Sequence, residues 1–177
     1  VPNYDGSESY AALWDASIQQ YRDIVELAKQ HGVKVLVELH HRTIIASASA
    51  ARRFLDGLDP EHVGAIHDAG NMVIEGWEHP RAAFEILGPY LAHVHMKNAQ
   101  WVPGETRADG TVTWDSSFCP IPEGIADVRT VVRSLRQVGY DGWITFEDFS
   151  TKRSVEENLA NNLAYIKAIV AEVDAER

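Results

Sequence analysis

The 177-residue sequence has one cysteine, Cys119, and only two methionines. A single thiol excludes an internal disulfide and any zinc site built on several cysteines, and it fits a reducing compartment. No apolar run approaches the ~20 residues that a membrane-spanning helix requires. No secretory leader pattern is visible, so the expected location is the cytoplasm. Basic residues are scarce: 16 Lys and Arg stand against 26 Asp and Glu, a formal net charge of −10. That deficit argues against a general affinity for nucleic acid or for an anionic membrane surface. Low-complexity stretches and linkers are also missing. With 45% hydrophobic and 24% charged residues, the composition predicts one folded unit over 1–177. The chain opens on Val1 rather than Met, which raises the expectation of a processed start or a piece of something longer.

What is present is a regular alternation. Leu13, Ile18, Tyr21, Val25 and Ala28 fall near helical spacing, with Ser7 or Ser9 as a cap and Gly32 as a stop. Short apolar runs then predict strands over 33–39, 63–68, 91–96 and 142–147. Helices are predicted from Ser47 or Ser49 to about Gly57, and over 80–87, 127–138 and 154–173. The stretch 98–124, rich in Gly, Pro and Trp, is too long for an ordinary connection and is expected to be a functional loop or lid. A leading helix followed by four βα repeats implies an α/β fold with a parallel sheet and helical crossovers.

Each predicted strand is apolar through its body and polar where it stops. The endings are Glu38-Leu39-His40-His41, His67-Asp68-Ala69-Gly70-Asn71, His93-Val94-His95-Met96-Lys97-Asn98 and Glu147-Asp148. Side chains alternate along a strand, so parity separates two faces. Val35, Val37 and Leu39 oppose Leu36 and Glu38, and Val63 and Ala65 oppose Ile66 and Asp68. Ala92, Val94 and Met96 oppose His93, His95 and Lys97, and Ile144 and Phe146 oppose Thr145 and Glu147. Ligands of parallel α/β folds bind at the C-terminal strand ends, where Glu38, Asp68, His95 and Glu147 would meet. Three packed carboxylates repel one another unless a positive charge sits among them. Three oxygen donors and one imidazole suit a single divalent ion such as Mn²⁺, Mg²⁺, Co²⁺ or Zn²⁺, and the lack of thiolates argues against a structural zinc.

Each residue also has a plainer explanation. A Glu at a strand end is commonly solvated or salt-bridged, Asp68 could simply begin a turn, and His93 and His95 could be hydrogen-bonded core residues. Equivalent position and shared parity in four strands favour a site. His93 lies one layer deeper and reads as supporting or core. His40 and His41 fall at the rim, and His31, His62 and His79 lie at element boundaries on the surface.

These residues, with the segments 35–40, 67–73, 92–98, 123–127 and 139–147, resemble the xylose isomerase-like TIM barrels, specifically the sugar phosphate isomerase/epimerase superfamily. The similarity runs through nearly the whole chain. It implies that Glu38, Asp68, His95 and Glu147 hold one divalent metal. It further implies that Glu38 and Glu147 flank a sugar, one removing a proton next to a carbonyl and the other returning it. The implied activity is a metal-dependent isomerase or epimerase of a sugar or related polyol. A dehydratase of a keto-inositol or a dehydroshikimate-like substrate is the alternative, and a non-catalytic metal- or sugar-binding module is a third. On the substrate side, Asn71 stands where many such epimerases have His; it can bond a hydroxyl but cannot shuttle a proton. Lys97 is expected to hold a substrate oxygen, or else to pair with a site acid. His40 is expected at the pocket rim. Trp101 and Trp114 are expected to cover a sugar ring, or else to pack the loop against the rim. A DNA-repair endonuclease of the same superfamily is disfavoured, because no Asp-Arg-His cluster follows the third strand and the net charge is −10.

A closed barrel of this type has eight βα units and typically ~250 residues. The four predicted strands correspond by resemblance to its second half, strands five to eight. The expected partners are therefore a small-molecule substrate and either the missing N-terminal half or a second copy, with no nucleic acid and no membrane. Without them, strands 33–39 and 142–147 would be open apolar edges.

Overall fold

The computed structural model describes residues 1–176. Helix α1 (Tyr10–His31) begins at Ser9, whose side chain makes no capping bond, and ends at Gly32 in the left-handed conformation. Strand β1 (Val35–Glu38) follows, then α2 (Ala48–Leu55), where Ser47 accepts from Ala50 N and caps the helix. Next come β2 (Val63–Asp68), the short α3 (Ala69–Ile74), α4 (Pro80–Leu87) and β3 (Leu91–Met96). After the excursion β4 (Asn98–Thr106) and β5 (Val112–Cys119) come α5 (Val128–Gln137), β6 (Ile144–Phe146) and α6 (Val155–Ala175). Asp127 caps α5, and Ser154 with Glu157 forms a reciprocal capping box on α6.

The main sheet has the order β1-β2-β3-β6 with every pair parallel. This is the expected α/β arrangement, a partial barrel that does not close. Strands β1 and β6 form its two edges. One face is buried as parity predicts: Val37, Leu39, Val63, Ala65, Val94 and Met96 are all nearly inaccessible. Two apolar clusters cover it. One gathers Phe54, Leu55 and Leu87 with Trp14 and Tyr21, and the other gathers Phe84, Leu135, Ile166 and Ile169. Each fully buried side chain of this size contributes roughly 1.5–3 kcal/mol.

Three features depart from the sequence expectation. The register shifts between Ala65 and Ile66, which pair with Leu91 and His93 and leave Ala92 as an extra residue. Leu91 therefore joins the covered side, packing against both clusters, and Ala92 leaves the parity assigned to it. A Cβ on Gly64 would fall 2.5 Å from the Ala92 Cβ, so the bulge requires glycine there. The segment 98–124 is no irregular loop. It is mostly a two-stranded antiparallel sheet, β4 with β5, turned at Asp109-Gly110, where Gly110 has φ +85°. Finally, Ala69–Ile74 is helical rather than a bare turn, because Asp68 Oδ1 accepts from Asn71 N and caps it. Among the described residues no helix is long and apolar enough to cross a membrane.

Candidate metal centre

The parallel register sets the site. Asp68 lies beside His95 across β2 and β3, and Glu147 leaves β6 with its N–H bonded to Met96 O. Glu38 closes β1 at the far side of Asp68. One donor atom each from Glu38, Asp68, His95 and Glu147 then lies within 4.8 Å of the others. His95 Nδ1 is 3.5 Å from both Glu38 Oε1 and Asp68 Oδ2, and 3.9 Å from Glu147 Oε2.

This set passes a test of fit to a divalent ion. Asp68 is wholly inaccessible, and its Oδ1 is occupied by the α3 cap, yet Oδ2 has no well-aligned hydrogen bond. His95 Nδ1 is likewise buried without one. Two buried donor atoms without a well-aligned hydrogen bond, set among carboxylates, match hard-oxygen-plus-imidazole coordination. Electrostatics agree. Asp68 and then Glu38 push the His95 imidazole up to about 9. Contact with His95 holds Glu38 below the usual carboxylate range. Burial by itself would raise Asp68, but His95 and Lys97 beside it outweigh that and hold it low.

Lys97 is the chain's own cation here. It is 1% exposed, with Nζ 2.5 Å from Glu147 Oε2 and 3.2 Å from Asp68 Oδ2. The Phe118 and Phe149 rings stand 4.9 and 5.2 Å from the ammonium. Three carboxylates, this ammonium and one divalent ion beside a neutral imidazole sum to zero charge. Gly70 makes the arrangement possible, since a Cβ there would meet Lys97 Cγ at 2.7 Å. Of the two uses expected for Lys97, this geometry is the pairing with site acids.

The remaining expected residues are placed as follows. Asn71 is fully buried; its Nδ2 donates to Glu38 Oε1 and Leu39 O, and its Oδ1 faces His41 Nδ1. His40 is half-buried, donates from Nδ1 to His41 O and stacks on the His41 ring. Trp101 is 41% exposed and donates Nε1 to Val73 O on α3, while Trp114 is 57% exposed near the hairpin turn. The aromatics that border the donors are instead Phe118 and Phe149, with ring centroids 5.3 Å apart. Sequence reasoning missed both, though Phe149 lies two residues beyond Glu147. His93 meets Thr145 Oγ1 at 2.9 Å and the His95 ring edge-on at 5.4 Å.

Comparison with known proteins bears on the family and the fold. The family model for the xylose isomerase-like TIM barrel matches residues 1–169. An inosose dehydratase of Klebsiella pneumoniae is 31% identical over 143 residues, 76% of this chain and 47% of the relative. A xylose isomerase-like TIM barrel protein from Mycobacterium smegmatis, crystallised in complex with magnesium, superposes with TM-score 0.69 at 24% identity. The match covers 98% of this chain and 54% of that one. A D-tagatose 3-epimerase-like protein superposes with TM-score 0.77 at 20% identity, covering 98% and 61%. The chain thus spans about half the length of the curated relatives it matches.

Proposed function

This chain belongs to the xylose isomerase-like TIM barrel family, and we propose that it carries the metal-binding and proton-transfer part of an enzyme acting on a sugar or cyclic polyol ketone. The reaction is removal of a proton next to the carbonyl. The observation that carries this is the convergence of Glu38, Asp68, His95 and Glu147 within 4.8 Å, with two donor atoms lacking hydrogen bonds. These four would hold one divalent ion, and Mg²⁺ is the first choice to try. When bound, the ion supplies positive charge that stabilises developing oxyanion charge.

The chain's own residues do the rest. Glu38 and Glu147 stand at the ends of the two edge strands, β1 and β6, with β2 and β3 between them. A substrate lying across the strand ends therefore has a carboxylate toward each side. One takes the proton, and the other returns it to the opposite face, which gives epimerisation or isomerisation. Lys97 keeps Glu147 in place, and Asn71 does so for Glu38. Phe118 and Phe149 pack against the Lys97 ammonium that pairs with Glu147.

A second outcome shares the first step. If a hydroxyl leaves from the neighbouring carbon, the product is an enone and the enzyme is a dehydratase. The match to inosose dehydratases supports that outcome as well as the structural neighbours support epimerisation. Incubation with Mg²⁺ in deuterated water, using D-tagatose and inosose, tests both. Deuterium at the carbon next to the carbonyl supports the shared step, and a new enone absorbance assigns water loss. Metal binding with neither signal would overturn the enzymatic reading in favour of a binding module.

A further inference from the structure

Asn71 has no exposed surface and its amide is fully engaged. Nδ2 donates to Glu38 Oε1 at 3.1 Å and to Leu39 O at 3.3 Å. An ionised carboxylate and a carbonyl only accept, so turning the amide over would set oxygen against two oxygens. Oδ1 therefore faces His41 Nδ1 at 2.9 Å, and that nitrogen must carry the hydrogen. Burial holds His41 below its ordinary value, which favours the neutral ring. A neutral imidazole with its hydrogen on Nδ1 offers only a lone pair at Nε2.

The ring is also fixed in space. His40 stacks on it at 4.3 Å and 23°, and Phe118 meets it edge-on at 6.1 Å. Phe118 also stands 4.9 Å from the Lys97 ammonium, so His41 and the cation paired with Asp68 and Glu147 share one aromatic neighbour. Nε2 lies across the ring from Asn71 and makes no hydrogen bond among the described residues.

We propose that His41 contacts the substrate as a fixed hydrogen-bond acceptor: Nε2 receives a hydroxyl of the polyol, while Asn71 locks the Nδ1–H tautomer. This rests on the polyol-ketone reading above. It also adds a specificity. An acceptor-only nitrogen pairs with a hydroxyl and rejects a carboxylate or phosphate oxygen, which has no hydrogen to give.

Two measurements test it. The first is long-range ¹H–¹⁵N correlation on histidine-labelled protein, with His41 assigned by the signals lost in His41→Asn. The expected pattern is a protonated Nδ1 and an unprotonated Nε2 on His41. A ring protonated at Nε2 overturns the lock, whatever the protein's activity. The second is calorimetric binding of D-tagatose and of inosose with Mg²⁺ present. Asparagine keeps an amide near the Nδ1 position and removes the distal acceptor, so His41→Asn should weaken binding about tenfold. Glutamine returns an oxygen near the Nε2 position, so His41→Gln should recover part of that loss. Mg²⁺ affinity should be unchanged in both. Equal losses in the two variants, or a fall in Mg²⁺ affinity, would overturn the contact. If the lock is seen but neither sugar binds the unaltered protein, the polyol-ketone reading and the hydroxyl contact fail together, and the tautomer assignment stands.

Discussion

His67 and His95 sit on neighbouring strands but on opposite faces of one sheet. Both bury an Nδ1 that lacks a hydrogen bond. Their protonation nevertheless runs in opposite directions. His67, on the covered face, meets the Phe84 ring edge-on and borders a small cavity of about 20 Å³ lined by Ala69, Met72, Val73 and Val131 together with Glu78 and Asp127. Burial pushes it down to about 4. His95, on the open face, meets Asp68 and Glu38 and is pushed up to about 9. An orphaned imidazole nitrogen therefore does not mark a metal ligand by itself. The surroundings decide: burial beside an aromatic ring favours the neutral imidazole, and converging carboxylates favour the protonated one.

The sharpest way to break this contrast is to damage each face and ask which property fails. Glu147→Gln acts on the open face. It should lower the rate of substrate deuterium exchange by about 10²–10⁴-fold, the usual share of a positioned base. Stability in urea should move little, by roughly 1 kcal/mol or less, because the amide oxygen can still accept from Lys97. Full exchange activity in this variant would remove Glu147 from the proposed chemistry. Phe84→Ala acts on the covered face, at a side chain 1% exposed. It should cost about 3–5 kcal/mol in urea unfolding, with Mg²⁺ affinity of the folded protein unchanged. A loss of Mg²⁺ affinity larger than the loss of stability would show that the two faces are not separable.

The histidine pair predicts opposite pH limbs. The folded pKa of His67 lies below the ordinary 6.5, so its contribution is present above pH 6.5 and is lost as pH falls toward 4. That limb should amount to roughly 3 kcal/mol and disappear in His67→Leu. The folded pKa of His95 lies above 6.5, so in metal-free protein its contribution is present below pH 6.5 and lost as pH rises through about 9. Urea titrations from pH 4 to 10, with and without Mg²⁺, check both limbs. An acid limb that persists in His67→Leu would assign it to other groups.

The contrast between faces was largely readable in the residues, and the exceptions have physical causes. Period-two alternation carries Val37, Val94 and Met96 to one side and Glu38, His95 and Lys97 to the other, so the convergence of donors follows from parity and strand direction. Parity fails at Ala92, because a bulge is a property of two paired strands and leaves no mark in one. The hairpin did have a local signal, Asp109-Gly110 between alternating segments, but Pro103 and Gly104 obscured the strand before it. The partners of Lys97, Asn71 and Phe118 come from elements far along the chain, for example Lys97 with Glu147 at a separation of 50. Spacing along the chain cannot supply such pairings.

Asn71 gives the most delicate test, since it belongs to both regions. Its backbone N–H caps the packed helix α3 on Asp68 Oδ1, and its side chain reaches Glu38 on the open face. Asn71→Ala keeps the backbone bond and removes only the amide. The α3 cap should therefore survive, while Glu38 loses the donor that orients it. Groups that orient metal ligands in this way are typically worth 10–100-fold in affinity, so Mg²⁺ binding by calorimetry should weaken by about that factor. The helical circular dichroism should be unchanged. If helix content falls along with affinity, the amide serves packing, and the boundary between the two faces does not run through Asn71. If only affinity falls, one residue joins a stable scaffold to a reactive rim through two separate atoms.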